Sequence, residues 1–471
     1  MSEILHDGMP QDMARQLTTG PIARTLLMYS LPVLGANVLQ SINGSINALW
    51  VGHFLGEIGL AATANANLVI FLIISMIFGF GMAVTILIGQ HMGRGEIAAA
   101  RRAAGTGATL FLSSGIAIAL LGWIAAPAML RGMGTPEEVY PSAVPYLRMM
   151  FAGLPPTLLT VYLSMTLRGA GDSLTPLVAM LPGIVVEVAL NPVFILGLGP
   201  APELGTAGSA LATLLANGVT VATLLVLIYR RDLPIRLRGK EWRHLFPSAE
   251  LMRFILVKGV PLGLQMVVIA GSAIIMMVLV NKLGTATVAA YGAVNQLWTY
   301  IQMPAFAIGM AVSGMAAQNI GAGLWHRVDQ ITRTGIMINF WLSGGVVVVT
   351  LLFDGPMLRL FLPNNADAVA IGQHINIVAS WSFIIQGMTL VLSSIVRSNG
   401  AGLFPLLILA IAYGPARIGS AVAMEPWLGT DAIWWSFPIG TIVSLVLSTL
   451  YYRRGSWRKL TVTVPIGPAI G

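Results

Sequence analysis

The chain has 471 residues, of which 56% are hydrophobic and only 9% charged, and its mean hydropathy is +0.81. Soluble domains carry about 25% charged residues, so this composition excludes a water-covered globule and calls for a lipid environment. Net charge is +8 and cysteine is absent, which removes disulfides, thiolate chemistry and cysteine-ligated metals.

Residues 1–20, with Glu3, Asp7, Asp12 and Arg15, read as a short solvated tail. They lack the basic region and apolar core of a cleaved signal peptide. Crossing a bilayer takes roughly 20 mostly apolar residues in helical form. Such segments follow at 22–50, 60–90, 103–130, 140–168, 173–197 and 206–229, and again at 251–281, 287–318, 331–354, 368–398, 402–424 and 430–452. Runs such as Leu68 to Gly89 and Ala212 to Tyr229 lack the polar–apolar alternation of barrel strands. Lipid offers no partner to backbone N–H and C=O groups, so these segments are expected to be helices. Residues 230–250 form the longest polar connection and read as a linker, and 456–471 as a second tail. The fold class expected is all-α integral membrane, with twelve transmembrane helices in two six-helix lobes, 21–229 and 251–455.

The charges alternate between loops. Arg94, Arg101 and Arg102 share one loop; Arg230, Arg231, Arg236, Arg238, Lys240 and Arg243 fill another; Arg327 and Arg333 occupy a third; Arg453, Arg454, Arg458 and Lys459 follow the last span. Connections such as 196–206 and 425–431 have almost no Lys or Arg. This is the positive-inside pattern, and it predicts a multi-pass protein of the cell (inner) membrane with both termini cytoplasmic. It also accounts for the net positive charge without a nucleic-acid partner.

The two halves repeat at a shift of 228 to 229 residues. Gly81-Met82-Ala83-Val84 returns as Gly309-Met310-Ala311-Val312; Gln90, Gly93 and Gly95 as Gln318, Gly321 and Gly323; Arg168, Gly171 and Pro176 as Arg397, Gly400 and Pro405. An even number of spans per repeat gives both halves the same orientation. Transporters built from repeats place substrate near the midplane and alternate access by rocking the repeats, so this arrangement points to movement of a solute across the bilayer.

At these residues the chain resembles the multidrug and toxic compound extrusion (MATE) family. The resemblance rests on Leu31-Pro32 followed by Asn47 through Gly52 and Leu55-Gly56, on Gly89-Gln90 with Gly93, Gly95 and Arg101-Arg102, on Leu167-Arg168-Gly169-Ala170-Gly171-Asp172 with Thr175-Pro176, and on Asn191-Pro192-Val193-Phe194-Ile195-Leu196-Gly197. It covers residues 20–455 and implies two six-helix lobes forming a V around a central cleft. The implied activity is export of organic, often cationic, compounds in exchange for protons or sodium ions, with no other cofactor. One bacterial branch has an aspartate where this chain has Asn47 and another at the position of Asn191, preceded four residues earlier by an asparagine. Here that pair reads Glu187 then Asn191, as though acid and amide had exchanged places. Gln40 and Thr213 fit the branch, while the acids that another branch carries in its seventh and tenth helices are missing.

Glu187 is the only carboxylate deep within these spans. Intramembrane acids face a bundle interior or a cavity, and burial penalises the charged form, which suits proton binding and release. At about 100° per residue, Asn191 shares its face. Asn37, Gln40, Asn43 and Asn47 fall within an arc of roughly 120° on the first span, an amide platform able to serve an ion, a substrate or helix packing. Arg417 stands inside the eleventh span after Pro415; it pairs with Glu187, attracts an anionic group, or snorkels to the outer interface. Gln265, Asn295, Trp298 and Gln386 are candidates to line the second half together with Tyr291, Gln302 and Trp381, and Trp434-Trp435 reads as an interfacial anchor. The six histidines occupy tails, loops or span ends without ligand spacing, so neither metal binding nor catalysis is expected. A flippase for a lipid-linked saccharide is the competing function, for which more cationic residues would be expected. The partners expected are small organic solutes and the bilayer, with the chain acting as a monomer.

Overall fold

The computed structural model describes residues 17–363 and 365–459; most of the two terminal tails lies outside the described residues. Among those residues every regular element is helical. In chain order they are α1 (Ile22–Arg94), α2 (Ile97–Gly132), α3 (Tyr140–Ala152), α4 (Leu154–Ala170), α5 (Leu174–Leu196), α6 (Thr206–Arg230), a 3-10 helix (Gly239–Leu245), α7 (Ala249–Asn281), α8 (Thr285–Gly321), α9 (Trp325–Leu352), α10 (Asp354–Phe361), α11 (Ala366–Ala379), α12 (Ser382–Ser398), α13 (Leu403–Ile411), a π-helical segment (Ala412–Ile418), α14 (Gly419–Leu428), α15 (Asp431–Arg454) and a 3-10 helix (Ser456–Lys459).

Nine of the helices are long and apolar enough to cross a membrane, and two bent pairs raise this to eleven. The 73-residue α1 holds two spans, because Gly56 breaks it at φ 65° and ψ −157°. Counting α1 as two gives the twelve expected. A side chain is strained at such dihedrals, which is why glycine stands there.

The other departures from straight helices have local causes. The fourth span is cut into α3 and α4, bent by 47°, where Gly153 precedes Pro155 and Pro156, which have no N–H to donate. Its counterpart in the second half is cut into α11 and α12 at 45°. There Ser380 spends its hydroxyl on Asn376 Oδ1 (3.1 Å) and accepts from Trp298 Nε1 (2.9 Å). The eleventh span widens into a π turn around Pro415, and the Tyr413 carbonyl takes a hydrogen bond from Ser272 Oγ (3.1 Å).

By packing, the described residues divide into two compact units, one comprising Gly35–Gly259 and the other Leu17–Leu34 with the chain from Val260 to Lys459. The boundaries therefore fall inside α1 and α7 rather than in the polar stretch 230–250. Leu26 and Tyr29 lie in an apolar core with Ile308, Val312 and Ile331 in the second unit. Gly259 lies so close to Phe80 in the first that a Cβ there would meet its ring at 2.3 Å. Pro32 and Pro261, interior to α1 and α7, stand beside these two boundaries.

The first unit builds its core from Ala62, Ala66, Ile70, Leu130, Tyr146, Phe151 and Leu154. The basic stretch after α6 is fastened to α2 in the same unit: Arg101 pairs with Glu241 at 2.8 Å and donates through Nε to the Pro234 carbonyl. The second unit packs Tyr291, Trp298, Phe383, Trp434 and Phe437 into one aromatic core. Trp434, 2% exposed, stacks on Tyr291, while Trp435 is 41% exposed. The expected interfacial pair is thus corrected to a single exposed tryptophan, since Trp434 is taken up by the aromatic core against Tyr291.

Helices α5 and α6 approach closely because two glycines face them. A Cβ on Gly208 would lie 2.3 Å from the Phe194 carbonyl oxygen, and one on Gly183 would lie 2.1 Å from Thr220 Oγ1. Gly208→Ala is expected to lower stability by about 1–3 kcal/mol through overpacking, read as a lower melting temperature in detergent. Gly218→Ala, on the same helix with nothing within 4 Å of its Cβ, is expected to leave it unchanged or slightly raised.

Candidate functional site

The close packing of α5 and α6, with the later part of α1's first span beside them, brings polar side chains from three segments together. Glu187 is 7% exposed, and both its carboxylate oxygens accept hydrogen bonds from neutral donors. Asn43 Nδ2 donates to Oε2 and Thr213 Oγ1 to Oε1, each at 2.7 Å. One helical turn on, Asn191 Nδ2 donates to Asn47 Oδ1 at 3.1 Å, and Ser209 Oγ donates to the same oxygen at 2.6 Å. The Oδ1 atoms of Asn43 and Asn191 are buried and have no hydrogen-bond partner.

This network opens on a cavity of about 260 Å³ within the first unit, lined by Gln40, Asn43, Thr157, Glu187, Thr213 and Asn217 among others. A buried carboxylate costs several kcal/mol unless its charge is met by hydrogen bonds or a counter-charge. Here the hydrogen bonds come from an amide and a hydroxyl, so the negative charge is solvated but not neutralised. Such a group can take up a proton, a metal cation or an organic cation.

Of the residues singled out from sequence, Glu187, Asn43, Asn47, Asn191 and Thr213 meet in this network, and Gln40 lines its cavity. Asn37 is half-buried and lies outside the cavity lining. Ser209 was missed. It precedes Thr213 by one helical turn, and that spacing on a face with Glu187's partner was the signal available.

The second unit has a different chemistry. A cavity of about 60 Å³ is lined by Gln265, Gln302, Gln386, Ser393, Arg397 and Tyr413 together with apolar side chains. Arg397 is 8% exposed and donates to Gln265 Oε1 and Ser394 Oγ, both at 3.0 Å. Gln386 Nε2 donates to the Tyr413 hydroxyl at 3.0 Å. Gln265 and Gln386 therefore line this cavity. Trp298 and Asn295 do not: Trp298 is 1% exposed within the aromatic core, and Asn295 is exposed.

Arg417 does not snorkel. It is 6% exposed, with its guanidinium carbon 4.1 Å from the centre of the Tyr413 ring and 4.6 Å from that of Phe437. The π turn and the missing side chain at Gly440, where a Cβ would lie 3.1 Å from Arg417 Cβ, make room for it. Among the described residues no group of three His, Asp or Glu side chains is placed to hold a metal ion.

The repeat seen in these two units is also the unit of a known family. The family model described as MatE matches residues 32–193 and again 261–422, so that the second match begins and ends 229 residues after the first. The chain belongs to this family. It is 33% identical over 442 residues to the probable multidrug resistance protein YoeA of Bacillus subtilis (strain 168), covering 93% of this chain and 95% of that one. It is 31% identical to the probable multidrug resistance protein YpnP of the same organism, covering 95% and 98%. In fold it is similar to a multidrug resistance MATE family transporter of the MOP superfamily solved in an outward-facing conformation, with a TM-score of 0.86 over 95% of this chain and 98% of that one at 21% identity. MatE proteins are multidrug efflux transporters, not enzymes, and this member is a multi-pass helical membrane protein.

Thr213→Val removes the donor to Glu187 Oε1 and leaves a buried carboxylate oxygen bare. A stability loss of about 1–3 kcal/mol is expected. In the Glu187→Gln background the same substitution should cost measurably less, because the two residues share one interaction; thermal melts of the four proteins of this cycle check it.

Proposed function

We propose that this MatE-family chain is a secondary active exporter that exchanges protons for organic solutes by alternating access, with Glu187 carrying the proton. The reading rests on one observation above all: a buried acid on a cavity wall, held by neutral donors, with no Lys or Arg among the described residues that line that cavity. In the ionised state the carboxylate attracts a cationic solute drawn from the cytoplasmic side. Protonation from the outer side cancels that attraction and lets the solute leave. Loss of the proton to the cytoplasm resets the site. Asn43 is suited to both states, since its Nδ2 donates to the carboxylate and its unpartnered Oδ1 can accept from a carboxylic acid after a flip of the amide.

A sodium-coupled exchange is the second reading. It is favoured by the free Oδ1 atoms of Asn43 and Asn191, which with Glu187 would offer a hard cation an oxygen shell. Efflux from proteoliposomes under an imposed pH gradient, with and without sodium, separates the two. Proton-driven efflux that falls to background in Glu187→Gln supports the first reading; undiminished coupled efflux in that variant refutes it. Acceleration by a sodium gradient at constant pH, lost in Asn191→Leu, supports the second.

The same proposal places the basic loops and both termini in the cytoplasm of a cell (inner) membrane, with the chain acting as a monomer on small organic solutes. The absence of native cysteine makes labelling unambiguous. Lys240→Cys is expected to react with an impermeant maleimide only after permeabilisation, and Ala201→Cys in intact cells.

A further inference from the structure

We infer that the cavity of the second unit is an oxyanion subsite, and that the solutes this chain exports include molecules bearing a carboxylate or a phosphate. The inference deepens the export reading and rests on it only for the transport measurement below. Its starting point is Arg397. A guanidinium has five N–H donors, and Arg397 uses two of them, on Gln265 Oε1 and Ser394 Oγ. Its Nε is buried and unpartnered, and no acid stands among the residues that line the cavity with it. Position in the last turn of α12 eases the burial of the charge through the helix dipole, but it supplies no acceptor for the remaining N–H groups.

Tyr413, which lines the same cavity, is a second donor. The Tyr413 hydroxyl accepts from Gln386 Nε2, which leaves its own proton to donate. Arg417 lies over the face of the same ring, 4.1 Å from its centre. A cation on the ring face draws electron density from the phenol and strengthens that O–H as a donor. The Nε of Arg417 is buried and unpartnered as well. Two guanidiniums without a carboxylate therefore act on one small cavity, one in its wall and one through Tyr413.

Uncompensated buried charge is costly, and a bound oxyanion would offset it with charge-assisted, partly bidentate hydrogen bonds. The volume of about 60 Å³ has room for a few waters or for one trigonal or tetrahedral oxyanion. An apolar rim that includes Met266, Phe306 and Phe383 suits an organic body attached to that group.

Titration of the purified full-length chain in a neutral maltoside detergent tests the assignment. Benzoate and phenyl phosphate are expected to bind with a measurable heat, and benzylammonium, of the same ring size, to compete with neither. Arg397→Gln should weaken both anions by roughly tenfold or more and Tyr413→Phe by several-fold, with gel filtration and melting temperature confirming folded protein. If Arg397→Gln does not fold, Tyr413→Phe and Arg397→Lys carry the test, the latter weakening phenyl phosphate through loss of the planar fork. Failure of both anions to bind, or binding indifferent to every folded variant, overturns the proposal. Repeating the titration in nanodiscs of phosphatidylcholine with and without phosphatidylglycerol separates the two sources of an oxyanion. Competition by phosphatidylglycerol, together with no efflux of the probe from proteoliposomes, makes the site a lipid-headgroup site and overturns the solute assignment. These affinities do not depend on Glu187, so loss of proton coupling in Glu187→Gln with intact anion binding fails the exchange reading alone.

Discussion

A bilayer interior supplies no hydrogen-bond partners, so most buried polar groups in this chain find a partner within the protein, and exceptions such as Asn43 Oδ1 and Arg397 Nε belong to residues that line its cavities. That constraint explains where the helices break and what surrounds each break. Gly56 turns one long helix into two spans; prolines after Gly153 and at 415 remove N–H donors; Ser272 donates to the Tyr413 carbonyl beside the second of these. Glu187 obeys the same rule. Its carboxylate is tolerable only because Asn43 and Thr213 reach it, and Thr213 reaches it because glycines at 183 and 208 let α5 and α6 pack closely.

The two units share a backbone repeat and differ in charge. At a shift of 229, Glu187 corresponds to Ala416 and Val188 to Arg417. The first unit carries an acid among neutral donors where the second carries Arg417 against aromatic rings, whereas Arg397 has an arginine counterpart, Arg168, in the first unit. Divergence at equivalent positions requires no change in fold, because a side chain at one position on a helix face is exchanged for another. Opposite polarity in the two cavities suits groups of opposite charge, a cation in one and, as proposed above, an oxyanion in the other.

The halves divide by sequence at the polar stretch 230–250, yet they divide by packing inside α1 and α7. The physical reason is length. Each of these helices is longer than a span needs, and the turn before Pro32 or Pro261 finds its apolar surface covered by the unit that its continuation leaves. Sequence similarity follows the repeat, whereas packing follows contact.

Composition and periodicity were enough to establish the helical membrane class, the number of spans, most of their ends to within a few residues, and the repeat, because all of these depend on apolar length and local order along the chain. Glu187 was legible for the same reason: an acid in an apolar run needs an explanation wherever the run folds. Its neighbours on one helix, Asn43 with Asn47 and Glu187 with Asn191, were legible from the helical period. What joins them was not. That Asn43 meets Glu187, that Ser209 meets Asn47, that Trp434 turns inward while Trp435 does not, and that Arg397 looks into a cavity without an acid are matters of how separate helices are rotated and spaced. Rotation and spacing arise from contacts between residues more than a hundred positions apart, which no local pattern encodes.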